Sequence, residues 1–234
     1  MTPRTGAPRL ARPLLAAFLA VSTVHLTGLL VGVDAAHQVT KPLLMPLLAA
    51  YAAARGGPRP LIAALLFGWG GDVLLMPGSD TAFLAGMGSF AAGHVCYLWL
   101  FGRDRVSPTA GVAYAAVLAT FVVLLWPGLP GELRVPLTGY SLLLTAMAWR
   151  AGALGRHAAL GGALFLLSDA LIATGIADRP QLPAHDFSVM LTYLAAQYLL
   201  TRGALGGPVD SPAVGAEGHR EMGWRTALKA LTGP

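Results

Sequence analysis

The sequence predicts an all-α fold, that of a polytopic membrane protein with eight transmembrane helices. Of the 234 residues, 55% are hydrophobic and 12% are charged, whereas an ordinary soluble domain carries about 25% charged residues. A soluble domain of this size must cover its surface with polar groups. The composition, which includes a single cysteine, therefore excludes a disordered chain, a soluble nucleic-acid binder and a disulfide scaffold. Long apolar runs and an alternating distribution of Lys and Arg support the same class.

Eight apolar runs, separated by turn signals, define the predicted helices in order. They lie at about 14–33, 42–54, 60–76, 81–101, 109–126, 136–150, 157–177 and 187–201. The breaks contain Gly, Pro and charged residues, which end helices. The runs are too long for strands and lack the alternation of a membrane barrel. Helices are then the way to satisfy the backbone hydrogen bonds in lipid.

The basic residues predict the orientation, because Lys and Arg collect on the cytoplasmic side of a membrane protein. One side collects Arg4, Arg9, Arg12, Arg55, Arg59, Arg103, Arg105, Arg150, Arg156, Arg202, Arg220, Arg225 and Lys229. The other side has only Lys41, Arg134 and Arg179. This bias predicts that both termini are cytoplasmic. It also explains the net charge of +5 without a nucleic-acid partner.

The two ends of the chain carry further expectations. A cleaved signal peptide is the alternative for the first run, but a run of about 20 residues exceeds the usual signal core of about 7–15 residues. We expect an eight-span membrane domain over residues 1–202. Residues 203–234 are rich in Gly, Pro and charge, and we expect them to form a flexible cytoplasmic tail.

A weak internal sequence similarity relates LFGWGGDVLL at 66–75 to LFLLSDALI at 164–172. Each segment places an Asp about 12 residues into a span that runs away from the cytoplasm. If the chain consists of two parallel four-helix halves, Asp72 and Asp169 lie at one depth. Chance similarity between two apolar runs is the alternative.

Ionisable side chains inside a membrane span are costly, so their default interpretation is functional. Asp72 and Asp169 are the two carboxylates inside predicted spans. The neighbouring Gly68, Gly70 and Gly71 would let another helix approach closely. The alternative is that each Asp merely hydrogen-bonds a neighbouring helix.

Two intramembrane histidines differ in their surroundings. His94 follows Gly86 and Phe90 and precedes Tyr97 at spacings of four, four and three residues, which puts all four on one helix face. That face is either a packed interior or part of a site. His25 on the first run is expected to serve helix packing.

Other polar groups lie near span ends or on shared faces. Lys41 opens the second run, where a lysine can bind a phosphate or snorkel to the surface. Tyr193 and Gln197 are four residues apart on the last run, and Tyr140 opens the sixth. We expect no metal, since the two intramembrane histidines have no clear third ligand and Cys96 is the single cysteine. We also expect no cofactor. The glycines beside Asp72 lie inside a span and do not form a phosphate-binding loop.

Taken together, these motifs resemble the lysoplasmalogenase, or YhhN-like, family of membrane proteins. The matching pieces run in family order over about residues 38–200. They are TKPL at 40–43, GD at 71–72 followed by LLM, the pattern of Gly86, Phe90, His94 and Tyr97, Tyr140 with Met147, FLLSD at 165–169 and YLAAQ at 193–197.

The resemblance implies an eight-helix integral membrane enzyme that hydrolyses the vinyl ether bond of lysoplasmalogens. The products are a fatty aldehyde and glycerophosphoethanolamine or glycerophosphocholine. The expected partners are a lysophospholipid substrate and membrane lipid, with no nucleic acid. The expected location is the bacterial inner membrane.

Vinyl ether cleavage is acid chemistry, which needs one protonated carboxyl group and one negative group. Protonation at carbon leaves an oxocarbenium ion that water captures, a problem that glycosidases solve with paired carboxylates. We expect the catalytic residues to be Asp72, Asp169 and His94. The expected substrate-binding residues are Lys41, Tyr97, Tyr140, Ser168, Tyr193 and Gln197, with Lys41 holding the lipid phosphate.

The sequence leaves three alternatives open. A proton-coupled transporter also uses intramembrane Asp and His. An intramembrane aspartyl protease uses YD and GxGD motifs, but here Trp69 stands at the first Gly of the second motif and SD replaces YD. The third alternative is a lipid-binding protein without enzymatic activity.

Overall fold

The computed structural model describes residues 8–206, and these residues form eight α-helices and no strand. The helices are α1 (Pro8–Val31), α2 (Asp34–Ala54), α3 (Arg59–Leu74), α4 (Asp80–Phe101), α5 (Pro108–Leu125), α6 (Gly131–Arg150), α7 (Arg156–Ile176) and α8 (His185–Leu205). The predicted all-α class is confirmed. Helix α8 runs past the predicted boundary at residue 202, and most of the predicted tail, residues 207–234, lies outside the described residues.

Four helical stretches in the described part of the chain are long and apolar enough to cross a membrane. They are Arg9–Val31, Asp80–Phe101, Pro108–Gly128 and Arg156–Ile176. The chain is therefore an integral membrane protein of the all-α class. That α2, α3, α6 and α8 also cross the membrane stays a prediction.

Three helices begin earlier than the apolar runs predict. Helices α1, α2 and α6 begin at Pro8, Asp34 and Gly131, whereas the runs begin at about 14, 42 and 136. Each helix contains a proline near the predicted start. Proline removes one backbone hydrogen bond, but neighbouring groups in a helical bundle compensate for it. The polar residues ahead of the proline therefore remain helical.

Three closely packed antiparallel pairs, α1–α2, α3–α4 and α7–α8, form most of the bundle. Helix α6 packs against α4 and α7, and α8 contacts α1. Fully buried side chains such as Leu65, Met147 and Leu200 form the main core. Helix α5 is the exception, because it packs mainly against α6 and has a single buried residue, Leu125.

Glycines allow the close approach of the paired helices. A Cβ atom at Gly71 on α3 would lie 2.5 Å from the ring of Phe90 on α4. A Cβ atom at Gly161 on α7 would lie 2.8 Å from the backbone nitrogen of Leu200 on α8. A larger residue would separate each pair, so the prediction that glycines beside Asp72 admit another helix is confirmed.

The bundle has two chemically distinct ends. The end at which α2, α4, α6 and α8 begin is called the Lys41 end here. The opposite, arginine-rich end carries Arg9, Arg12, Arg55, Arg59, Arg103, Arg105, Arg150, Arg156 and Arg202. The charge bias predicts that the arginine-rich end is cytoplasmic.

Helix α5 is fastened at the arginine-rich end through α6. Arg150 donates hydrogen bonds to the backbone oxygens of Gly102 at 2.7 Å and Asp104 at 2.8 Å. The indole N–H of Trp149 donates to the backbone oxygen of Ser107 at 2.9 Å. These bonds fix the loop from which α5 starts.

Helix α5 is also fastened at the Lys41 end. Arg179 donates a hydrogen bond of 2.7 Å to the backbone oxygen of Leu124, one of the last carbonyls of a helix that lack a partner within the helix. The guanidinium of Arg134 lies 5.5 Å from the centre of the Trp126 ring. Both ends of α5 are therefore held while its middle has few neighbours.

Candidate active site

A cavity of about 150 Å³ lies among α2 to α8, in the half of the bundle toward the Lys41 end. Asp72 on α3 and Asp169 on α7 both line it, and they are close enough for their charges to interact. Each is the fourteenth residue of its helix. The structure thus brings the two predicted carboxylates together, at the matched helix positions that the internal sequence similarity predicts.

Asp72 is buried, with 3% of its surface exposed, and it stands at the end of a chain of hydrogen bonds. The hydroxyl of Tyr193 donates to Asp72 Oδ2 at 2.9 Å. The amide nitrogen of Gln197 donates to the Tyr193 oxygen at 3.3 Å, and the hydroxyl of Tyr97 donates to the Gln197 Oε1 at 2.6 Å. These four residues are called the Asp72 arm.

Gly68 makes room for the Asp72 arm between α3 and α8. A Cβ atom at this position would lie 3.1 Å from the amide nitrogen of Gln197 and 3.2 Å from the hydroxyl of Tyr193. Both distances are tighter than ordinary contacts with a methyl group. The absence of a side chain at Gly68 therefore lets the polar groups of α8 reach across to α3.

Asp169 is only partly buried and has a different chain of partners, the Asp169 arm of Asp169, Tyr140 and His94. The hydroxyl of Tyr140 on α6 donates to Asp169 Oδ2. The Nε2 atom of His94 on α4 lies 3.1 Å from the Tyr140 oxygen. Because Tyr140 gives its own proton to Asp169, it accepts the bond from His94 Nε2–H. Within the described residues, the buried Nδ1 of His94 has no hydrogen-bond partner.

Phe165 on α7 lies between the two arms. Its ring centre is 4.9 Å from that of His94 and 5.5 Å from that of Tyr193, both in edge-to-face geometry. Phe90 contacts Tyr193 in the same geometry at 6.0 Å. Such contacts favour fixed ring orientations, so Phe165 and Phe90 hold the rings of both arms in place. The sequence motif contains Phe165, but sequence reasoning gave it no role.

Lys41 supplies the positive charge of the cavity, which it lines from α2. It is near enough to Asp72 for their charges to interact. The adjacent Thr40 donates to the backbone oxygen of Ala36 at 2.6 Å and accepts a bond of 2.7 Å from His25 Nδ1 on α1. His25 therefore joins α1 to α2, in agreement with its predicted packing role.

The opposite side of the cavity is hydrocarbon. This apolar wall comes from α4 to α7 and consists of Phe83, Met87, Val117, Leu118, Phe121, Leu137, Ile172, Ala173 and Ile176. Several of these side chains also pack on a small second core around Leu125 and Leu129. The cavity thus offers a charged region at Lys41, a carboxylate pair and an apolar surface, so it is complementary to an amphiphilic ligand.

Six of the nine predicted site residues line the cavity, and three do not. The lining residues are Lys41, Asp72, Tyr140, Ser168, Asp169 and Tyr193. The Ser168 hydroxyl donates to the backbone oxygen of Val189 at 3.0 Å, which joins α7 to α8. His94, Tyr97 and Gln197 stand behind the tyrosines and reach the cavity through them.

Ser141 lies beside Tyr140 at the start of the sixth predicted run, but sequence reasoning did not include it in the site, although it lines the cavity. Sequence reasoning also missed the α5 part of the apolar wall. Helix α5 is apolar on all sides, so no periodicity marks the face that lines a cavity. Within residues 8–206, no cluster of three or more His, Cys, Asp or Glu side chains is arranged to hold a metal ion.

Comparison with known proteins gives one family and several named relatives. The model of the YhhN family matches residues 36–204. The chain is 37% identical over 157 residues to lysoplasmalogenase TMEM86B of Homo sapiens, covering 66% of this chain and 67% of the relative. It is 31% identical over 191 residues to a lysoplasmalogenase of Mycobacterium tuberculosis, covering 71% of each chain. No solved structure matches the chain significantly.

Proposed function

The chain belongs to the YhhN family, and we propose that it is a lysoplasmalogenase, which hydrolyses the vinyl ether bond of alkenyl-lysophospholipids. The products are a fatty aldehyde and glycerophosphoethanolamine or glycerophosphocholine. The observation that carries the proposal is that Asp72 and Asp169 share one cavity with Lys41 and an apolar wall. The lysoplasmalogenase names of the relatives support it, whereas nothing in those names supports a transporter.

The cavity suits a lysolipid bound in one direction. The Lys41 ammonium attracts the phosphate as a point charge, and the apolar wall accepts the alkenyl chain. The vinyl ether bond joins the glycerol to that chain. It therefore lies between Lys41 and the apolar wall, beside the two carboxylates.

Asp169 is the general acid in this mechanism. The residues that follow it on α7, including Ile172, Ala173 and Ile176, form part of the apolar wall, so the vinyl carbon that carries the chain lies beside Asp169. The carboxyl proton of Asp169 adds to the carbon β to the ether oxygen, and the double-bond electrons form the new C–H bond. The positive charge is then shared between the α carbon and the ether oxygen. Tyr140, which His94 holds, orients the carboxyl group.

Asp72 is the negative group that stabilises this oxocarbenium ion. As a water oxygen bonds to the cationic carbon, Asp72 accepts the water proton, and a hemiacetal forms. The hemiacetal hydroxyl then gives its proton to Asp169, the bond from carbon to the glycerol oxygen breaks, and that oxygen takes the proton of Asp72. Aldehyde and alcohol are released, and both carboxyl groups return to their starting states.

The orientation in the membrane is part of the same proposal. The arginine-rich end faces the cytoplasm, with both termini on that side, and the Lys41 end faces outward across a bacterial inner membrane. Lys41, Arg134 and Arg179 are few against the nine arginines of the opposite end within the described residues, which supports this orientation. The substrate is then a lipid of the surrounding bilayer.

The test is hydrolysis of alkenyl-lysophosphatidylethanolamine by the purified protein in deuterated water, with mass spectrometry of the aldehyde. Carbon protonation predicts one deuterium on the carbon next to the carbonyl. Unlabelled aldehyde incubated in the same solvent corrects for exchange, and the saturated ether analogue, which lacks the double bond, should remain intact. Aldehyde without deuterium would exclude the proposed step. Absence of aldehyde from both the ethanolamine and the choline lipid would overturn the function.

The carboxylate pair is tested separately with the double variant Asp72→Asn, Asp169→Asn. We expect no measurable aldehyde release from this variant in folded form, as judged by its thermal unfolding in detergent. Full activity of the folded double variant would remove both residues from the mechanism while leaving the lysoplasmalogenase proposal in place.

A further inference from the structure

Val117 on α5 belongs to two surfaces at once. It lines the cavity that contains the carboxylates, and 57% of its surface is exposed, whereas Leu118 and Phe121, which line the same cavity from α5, are partly buried. Val112 and Val123 on the same helix are each 71% exposed but do not line the cavity. At Val117 the cavity wall is therefore a single side chain thick, and the bilayer lies on its other side.

The packing of α5 explains why the wall is thin at this point. Hydrogen bonds from Arg150, Trp149 and Arg179 fasten its two ends, while α6 is its main packing partner. This sparse packing leaves room for a crevice beside the middle of α5, without any need for the helix to detach.

The depth of Val117 fits the geometry of a lipid. The α5 residues of the apolar wall run from Phe121, toward the Lys41 end, to Val117, the tenth of 18 residues and thus the middle of the helix. Counted from the Lys41 end, Lys41 is the eighth residue of α2 and Val117 is the ninth of α5, so a lysolipid with its phosphate at Lys41 and its chain at Val117 extends sideways through the bundle. Its chain reaches the bilayer core where the core is purely hydrocarbon.

We propose that the hydrocarbon chain of the lysophospholipid leaves the cavity past Val117 into the bilayer core, so that the substrate enters sideways from the leaflet at the Lys41 end. The identity of the ligand rests on the proposed function. The occupant is a single unbranched chain on a phosphate-bearing head, because the crevice is continuous with both the apolar wall and Lys41. The opening removes any upper limit that a closed cavity would set on chain length.

The test measures binding rather than turnover and uses saturated ether lysophospholipids, which carry no vinyl bond. Isothermal titration of the full-length protein in detergent compares a lipid chain of about 18 carbons with one of about 6 carbons, since each buried methylene makes transfer from water more favourable. The Val117→Trp variant fills the crevice with a large side chain. Val112→Trp and Val123→Trp are the matched controls on the same helix.

We expect Val117→Trp to weaken binding of the long-chain lipid at least about tenfold and to leave the short-chain lipid within about twofold, whereas both control variants bind like the wild type. Equal losses for both lipids, unchanged binding of the long chain, or equal effects of the control variants would overturn the opening at Val117. Absence of lysolipid binding by the wild type would overturn it as well. Chain-length-dependent loss of binding without vinyl ether hydrolysis would overturn the proposed function and leave the opening intact.

Discussion

The Asp72 arm and the Asp169 arm present equivalent carboxylates in different surroundings. In the first, the amide of Gln197 stands behind the tyrosine, and an amide does not change its protonation state. In the second, the imidazole of His94 takes that place, and its Nδ1 atom has no hydrogen-bond partner within the described residues. Both arms orient a carboxylate, but the first continues through Gln197 to Tyr97, whereas the second ends at His94.

The arms also differ in what lies beside each carboxylate. Asp72 is buried and has Lys41 as a charged neighbour. Asp169 is partly buried and is followed on α7 by the side chains of the apolar wall. Two chemically identical groups can thus perform unlike steps because the fold gives each a different neighbour.

The largest expected effects separate the two carboxylates. Asp169→Asn retains the shape but has no acidic proton, so kcat should fall by about a thousandfold or more. Asp72→Asn removes only the negative charge and the water base, and we expect a loss of about a hundredfold. Aldehyde release under saturating lipid measures both, with thermal unfolding as the check on folding. A larger loss in Asp72→Asn would reverse the assigned roles.

The tyrosines give the next effect and the sharpest comparison of the arms. Tyr140→Phe and Tyr193→Phe each remove one hydrogen bond to a carboxylate, and we expect losses of about tenfold in kcat. Adding His94→Gln to Tyr140→Phe should lower kcat little further, because the link from His94 to Asp169 is already broken. Adding it to Tyr193→Phe should lower kcat by a further factor, because the two substitutions act on different arms. If His94→Gln lowers kcat by the same further factor in Tyr140→Phe and in Tyr193→Phe, His94 does not act through Tyr140.

Lys41 extends the comparison to substrate binding. Lys41→Met should raise KM about tenfold and leave kcat within about twofold, because the ammonium interacts with the phosphate equally before and during reaction. Lys41→Arg, which keeps the charge, should restore most of the binding. Alkenyl glycerol without a phosphate is the control substrate, and its kinetics should not change. A loss confined to kcat would place Lys41 in the chemistry instead.

The smallest effect concerns the support of the Asp72 arm rather than its chemistry. A methyl group at Gly71 would overlap the ring of Phe90, so Gly71→Ala should destabilise the protein by about 1–3 kcal/mol. Gly88→Ala is the matched control on α4, because no atom lies within 4 Å of its Cβ position. Thermal unfolding in detergent compares the two, and equal melting temperatures would show that the α3–α4 contact is not tight.

The sequence predicted the eight helices because apolar runs and loop arginines alternate along the whole chain. It misplaced the starts of α1, α2 and α6, since Pro13, Pro42 and Pro136 read as boundaries but lie inside helices. Hydropathy marks where lipid begins, whereas a helix continues as long as its backbone bonds are satisfied. The predicted boundaries therefore follow the change in hydropathy and not the ends of the helices.

The candidate carboxylates were predictable, because a charge in an apolar run is rare and costly. Their tyrosine partners were not assigned, since Tyr140 and Asp169 are 29 residues apart and Tyr193 and Asp72 are 121 apart. Helical periodicity relates residues within one helix only. It does not say which helices meet, and it gives no signal for the face of α5 that lines the cavity.

The two fastened ends of α5 connect the protein to the mechanical state of its bilayer. The helix has 18 residues and is therefore about 27 Å long, close to the thickness of the hydrocarbon layer, about 30 Å. A thicker or thinner membrane must be matched by tilt or by local deformation of the lipid. In α5, both ends are anchored and the middle has few neighbours, so we expect the adjustment to fall on the middle. If the lipid chain leaves the cavity there, bilayer thickness will change its access while the carboxylates stay in place among the packed helices.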